Sequence, residues 1–145
     1  MAIKQVTPYL FFSGTAEKAI KHYEKALGAK IEGGKAMLFG DVPPGGNAPP
    51  CAEGDKNRVM HALLHIGGGQ IMISDVPSDQ KASTVSNVEV VLDFDDVGET
   101  AAKFDALAAG GEITSPLQDT FWGAKFGTVK DAYGIRWMFN CTLKK

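Results

Sequence analysis

The chain repeats itself, and that repeat constrains the fold more than any other feature. Ala19-Ile20-Lys21-His22-Tyr23-Glu24-Lys25-Ala26-Leu27 resembles Thr100-Ala101-Ala102-Lys103-Phe104-Asp105-Ala106-Leu107-Ala108. Glycine follows each stretch (Gly28, then Gly110-Gly111), and Ile31 and Ile113 open the segments that come next. Each copy reads strand, helix, strand, strand, strand, and the third and fourth strands of each copy form similar hairpins. A repeat of this size is a duplicated module rather than a solenoid. The 145 residues therefore predict one α+β domain of two βαβββ modules, about residues 1–75 and 86–145. Curved mixed sheets with a helix on each outer face would enclose a cleft, a favoured place for ligands.

Local patterns fill in the modules. Lys4 to Phe12 is rich in β-formers and predicts the first strand. Thr15 is a plausible N-cap, and Ala16, Ala19, Ile20, Tyr23, Ala26 and Leu27 recur at helical spacing until Gly28 stops the helix. Lys30 to Phe39 predicts a second strand, with a bend at Gly33-Gly34. Asp41 to Arg58 holds Pro43, Pro44, Pro49 and Pro50, which leave few ladder donors, so it predicts a loop of the length used for lids. Val59 to Ile66 alternates: Met60, Ala62, Leu64 and Ile66 share one face, and His61, Leu63 and His65 the other. Gly67-Gly68-Gly69 turns it into Gln70–Asp75. The second module predicts a strand over Asn87–Phe94, a helix over Val97–Ala108, an edge or bent strand over Glu112–Trp122 interrupted at Pro116, and strands over Lys125–Val129 and Ile135–Cys141.

Charge and composition exclude several classes of function. The formal net charge is −2 with no basic stripe, so nucleic-acid binding has no electrostatic basis. No apolar run approaches the roughly 20 residues of a membrane span. The N-terminus lacks a charged start followed by an apolar stretch. Cys51 and Cys141 form no CxxC pair. The expectation is a cytoplasmic protein with free thiols.

The densest stretch closes the chain. Residues 119–140 hold both tryptophans and four other aromatic rings. With Thr7-Pro8-Tyr9-Leu10, Ala19-Ile20-Lys21-His22-Tyr23 and Met72-Ile73-Ser74-Asp75, the run Asp119-Thr120-Phe121-Trp122-Gly123, Phe126-Gly127 and Tyr133-Gly134-Ile135-Arg136-Trp137-Met138 resembles the PhnB-like branch of the vicinal oxygen chelate superfamily. That is the fold of glyoxalase I, bleomycin-resistance proteins and extradiol dioxygenases. The likeness covers nearly the whole chain. It implies the paired-module fold and a homodimer. The branch is also labelled demethylubiquinone methyltransferase-like, but no glycine-rich loop follows a first strand to hold a methyl-donor cofactor.

The resemblance also locates the superfamily's metal positions. Its metal-using members place His and Glu ligands on the first and last strand of each module. Those positions fall here on Thr7, Met72 (or Ser74 if the register slips), Glu89 and Met138. Only Glu89 is a usual ligand for zinc, nickel or iron(II). The usual quartet is therefore expected to be missing, and no cofactor is predicted. His61 with Glu89 remains the pair from which a displaced divalent-metal site could be built, because His61 and His65 lie ~7 Å apart along their strand. A strand histidine in a cleft more commonly makes a structural hydrogen bond or a ligand contact.

Strand parity with the family register lines the cleft with Thr7, Tyr9, His61, Leu63, Met72, Ser74, Glu89, Val91, Arg136, Met138 and Asn140. Phe121, Trp122 and Phe126 wall one end. For any one of these rings the alternative is ordinary core packing. No GxSxG motif or anchored nucleophile is present. Gly67-Gly68-Gly69 leads into a strand, not into a helix that could cradle phosphate. Asp93, Asp95 and Asp96 are placed to cap the second helix. Three functions stand. One is a small-molecule binding protein, as bleomycin-resistance proteins are. Another is a lyase or isomerase with His61 as general base or ligand, Glu89 as its partner and Arg136 as an anion anchor. The third is a structural or regulatory dimer whose cleft its own side chains fill.

Overall fold

A computed structural model describes residues 2–43 and 51–143. The chain divides into two compact units, with the boundary between Ala82 and Ser83. Each unit carries one helix and one mixed sheet, an α+β architecture.

Unit one runs β1 (Tyr9–Phe12), α1 (Ala16–Leu27), β2 (Lys30–Ile31), β3 (Met37–Leu38), β4 (Val59–Ile66) and β5 (Gly69–Asp75). The sheet order is β1-β5-β4-β2, with β3 also on β4. β1 and β5 are parallel, and the other pairs are antiparallel. The apolar stripe of α1 (Ala16, Ala19, Ile20, Tyr23, Ala26, Leu27) is buried and packs on the sheet face made by Leu10, Phe12, Ala62, Leu64, Ile71 and Ile73. Each large side chain removed from water there contributes about 1.5–3 kcal/mol. Gly28 ends α1 at φ 71°, where its N–H reaches Glu24 O and that of Ala29 reaches Tyr23 O. Only a residue without a Cβ takes that conformation cheaply.

Three expectations for unit one change. The first strand starts at Tyr9, not Lys4. Met72 N–H bonds to Pro8 O, but Pro8 has no N–H to continue the ladder, and residues 2–6 are exposed. Thr15 does not cap α1 through its side chain. The carboxylate of Asp75 does that work from β5: Oδ1 accepts from Gly14 N (2.9 Å) and Ala16 N (3.0 Å), and Oδ2 from Val59 N (2.9 Å). The second strand breaks into β2 and β3, because Gly33 and Gly34 take positive φ (76° and 81°) and turn the chain out of the ladder. Of the loop expected over Asp41–Arg58, residues 44–50 lie outside the described residues; the remainder carries no strand, and Glu53–Asp55 forms a short 3-10 turn.

Unit two runs β6 (Val90–Phe94), α2 (Val97–Ala108), β7 (Glu112–Asp119), β8 (Ala124–Lys130) and β9 (Arg136–Thr142). Its sheet order is β6-β9-β8-β7, with β6 and β9 parallel. Asp96 caps α2 by accepting from Glu99 N at 2.7 Å. α2 covers Trp137 and Phe139, and Phe104 meets Phe139 edge-on at 5.2 Å. Gly127 lies under that ring: a Cβ there would stand 2.8 Å from Phe104 Cε2 and 2.9 Å from Leu117 Cα. The β8–β9 turn is built on Asp131. Its Oδ1 accepts from Tyr133 N (2.9 Å) and Ile135 N (3.0 Å), and its Oδ2 from Trp137 Nε1 (2.9 Å).

Strand ends in unit two differ from the sequence pattern. β6 begins at Val90, which leaves Glu89 exposed just before it. β7 is an edge strand, as Pro116 requires, with register shifts on both sides of Ser115. It stops at Asp119. Phe121 and Trp122 stand in the turn beyond it, where Thr120 Oγ1 and Ala124 O close the loop. No helix among the described residues is long and apolar enough to cross a membrane.

Candidate functional site

Because α1 covers one face of the unit-one sheet, the chemistry gathers on the other. Register fixes the membership of that face. Tyr9 lies opposite Met72, and Met72 opposite Leu63. Phe11 lies opposite Ser74, and Met37 opposite His61. Tyr9 is 39%, Phe11 50% and Met37 48% exposed, a large apolar surface for one small unit to leave in water. The rings of Tyr9 and Phe11 stack at 4.7 Å with planes 8° apart. Met72 adjoins Tyr9 on β5, and Met37 lies beyond His61 on β3; soft, adaptable methionines suit a surface that fits around a ligand.

One polar pair sits within this apolar patch. Tyr9 Oη lies 2.9 Å from His61 Nδ1, and the rings are tilted at 5.7 Å. Burial raises the Tyr9 phenol above its ordinary pKa, against a smaller lowering by the Ser74 hydroxyl. Either atom can donate across this bond, according to the imidazole tautomer. The pair offers a hydrogen-bonding group beside a stacked aromatic floor.

The other expected residues of unit one are occupied differently. Ser74 is buried, and its hydroxyl donates to Met60 O at 2.9 Å. Thr7 lies outside β1, and its Oγ1 accepts from Gln70 Nε2 at 3.2 Å. His65 Nε2 pairs with Glu32 Oε1 at 3.3 Å. Parity could have brought Phe11 in with Tyr9. Met37 needed the broken second strand. On the helix side, a pocket of about 430 Å³ lies between α1 and residues 34–41, with Ile20, Ile31, Leu38 and Val59 under Glu17, Lys21, Glu24 and Lys35.

In unit two the helix-distal face carries Met138 between Val91 and Thr128, and Asn140 between Asp93 and Phe126. Asn140 Nδ2 donates to Asp93 Oδ1 at 3.0 Å. Arg136 lies opposite Lys130. Phe121 is 97% and Trp122 58% exposed. Phe121, Trp122 and Phe126 form a chain of edge-on rings at 4.9 and 5.9 Å.

A metal does not suit this donor set. Thr7 Oγ1 is engaged by Gln70, Met72 and Met138 offer only thioethers, and Tyr9 occupies Nδ1 of His61. Among the described residues no three His, Cys, Asp or Glu side chains stand together as ligands.

Comparison with known proteins agrees with this architecture. Residues 3–139 match the sequence profile of the Glyoxalase/Bleomycin resistance protein/Dioxygenase superfamily. Protein YjdN of Escherichia coli K12 is 37% identical over 140 residues, covering 93% of each chain. The crystal structure of protein PA1353 from Pseudomonas aeruginosa superposes with a TM-score of 0.84 at 34% identity, over 98% of this chain and 100% of that one. A structure from Bacillus cereus titled putative 3-demethylubiquinone-9 3-methyltransferase, PhnB protein, superposes with a TM-score of 0.72 at 23% identity, over 96% and 100% of the two chains.

Proposed function

The chain belongs to the Glyoxalase/Bleomycin resistance protein/Dioxygenase superfamily, and from that premise we propose that it is a metal-independent small-molecule binding protein. The observation behind this reading is the uncovered Tyr9–Phe11 stack with His61, Leu63, Met72 and Met37 around it. Flat rings bind flat apolar ligands by dispersion and burial. The Tyr9–His61 pair orients a ligand that carries a hydrogen-bonding group. Unit two has its own helix-distal apolar surface in Val91, Phe126 and Met138, and exposed rings in Phe121 and Trp122. A cytoplasmic homodimer is part of the same reading, supported by the free thiols of Cys51 and Cys141 and by the exposed rings at the β7–β8 turn.

The methyltransferase title of the Bacillus cereus protein finds no support in this chain. Gly67-Gly68 turns β4 into β5, which Gly69 opens, and the triplet does not open a helix. A second reading, a lyase or isomerase on a small oxygenated substrate, is favoured by the Tyr9–His61 hydrogen bond, because a histidine held by a phenol is oriented for general acid–base work. Thermal unfolding in a panel of planar aromatic acids and amides separates the two. Binding predicts a saturable rise in stability, about 2.7 kcal/mol at 100-fold over Kd. A flat response across the panel removes it. For the enzyme reading, His61→Ala should abolish turnover with the fold intact; an unaffected rate removes His61 as the acid–base group.

A further inference from the structure

We propose that Arg136 and Lys130 form an oxyanion site, for a carboxylate or phosphate group, on the helix-distal face of unit two. The inference goes beyond the apolar-face reading and does not rest on it.

Arg136 opens β9 directly opposite Lys130 at the end of β8. Two cations side by side on one sheet face repel unless an anion lies between them. Arg136 Nε is shielded from solvent and has no hydrogen-bond partner, the one such side-chain nitrogen or oxygen among the described residues. Buried donors are almost always satisfied, so an orphan calls for a partner. A guanidinium presents its Nε–H and an Nη–H as a fork that fits two oxygens of a carboxylate or phosphate.

The duplicated architecture gives an internal control. Met72 lies opposite Tyr9 in unit one, and Met138 opposite Val91 in unit two. Two residues earlier on the same strands stand Gln70 and Arg136. Gln70 is satisfied, since its amide donates to Thr7 Oγ1. The residue corresponding to Thr7 in unit two is Glu89, beside Arg136 when the β6–β9 register is extended by one residue. Glu89 is exposed and makes no ion pair with Arg136. On the other side, Glu112 lies opposite Lys130, is also exposed and makes no ion pair with it. Both glutamates stay in water and leave Arg136 unpaired; because Nε is shielded, an oxyanion from solution seats first on the terminal Nη–H groups and reaches the Nε–H as the side chain turns. Glu89 is its one local rival.

Arginine Nε–Hε correlation spectra of the intact protein test this, with inorganic phosphate and acetate titrated separately at constant ionic strength. The expected result is a saturable movement of one signal, assigned to Arg136 by its loss in Arg136→Lys, with affinity about 10-fold or more weaker in Lys130→Gln. A response to phosphate alone assigns a phosphate ligand, to acetate alone a carboxylate, and to both a general oxyanion site. No saturable movement with either anion overturns the proposal. So does an anion-free spectrum in which Glu89→Gln shifts the Arg136 signal and lowers stability, because Glu89 would then be the partner. No organic ligand is present, so the outcome is independent of whether the unit-one face binds one.

Discussion

Replacing Asp131 by Ala should be among the most damaging single changes in unit two. Asp131 is 3% exposed, and its carboxylate serves three donors: two backbone N–H groups of the β8–β9 turn and the indole N–H of fully buried Trp137. Alanine removes every acceptor at once. The indole N–H has no route to water and bears its full desolvation cost, about 1–3 kcal/mol. The two turn donors sit on half-buried residues and recover part of theirs from solvent. Relief of the buried carboxylate's own desolvation offsets some of the loss. The balance is a destabilisation of about 3–5 kcal/mol, typical of breaking a buried charged network. Both tryptophans lie in unit two, so their fluorescence in urea follows that unit, and the midpoint should fall by about 1 M or more. Asp131→Asn keeps Oδ1 for the backbone but sets an amide against the indole N–H. Trp137→Phe should relieve that clash, so the double variant should lose less than the two singles together, by about 1–2 kcal/mol. A loss below about 1 kcal/mol for Asp131→Ala, or strictly additive variants, would refute the reasoning.

Other expectations follow from the same contacts. The N–H of Ser78, and then its hydroxyl, hold the Asp55 carboxyl below its usual pKa, with burial opposing and Arg58 assisting. The stability this carboxylate supplies is present above the unfolded value of about 3.9 and is lost as pH falls through the lower folded value. Wild type should therefore exceed Asp55→Asn in stability near neutrality and converge with it in acid; a gap that widens in acid contradicts this. Burial keeps the Tyr9 phenol protonated past its ordinary value. Its ultraviolet titration, taken as wild type minus Tyr9→Phe, should have a midpoint above about 10, and a midpoint at or below that value denies the shielding. Gly127→Ala should cost about 1–3 kcal/mol by overpacking, measured by urea unfolding, because its Cβ would meet Phe104 and Leu117. A neutral effect would mean that α2 yields without strain.

Periodicity made parts of the fold readable. The apolar stripe of α1 and the alternation of β4 gave both elements their observed bounds, because each must bury one face against the other. The same alternation set Tyr9, Met72, Leu63 and His61 on one face. What could not be read is what depends on distant partners. Val6 and Thr7 are good strand formers, yet nothing pairs with them as a ladder beyond Pro8. Thr15 is a good cap by type, but Asp75, 59 residues away from Ala16, takes the role. The Tyr9–His61 bond spans 52 residues, so neither residue signals it locally. Phe121 and Trp122 look like the end of a strand, but their backbone is held in a turn by Thr120 and Ala124.

The most direct test of the account uses the methionine methyl groups as reporters of the unit-one face. Met72 and Met37 lie on it; Met60 lies on the opposite parity of β4, and Met138 in unit two. With 13C-methyl methionine, a planar aromatic amide such as 2-naphthamide is titrated into the protein. The account predicts saturable shifts at Met72 and Met37 that disappear in Tyr9→Ala and Phe11→Ala variants retaining the wild-type fold. Saturable binding that leaves Met72 and Met37 unmoved, or that survives both substitutions, would contradict it.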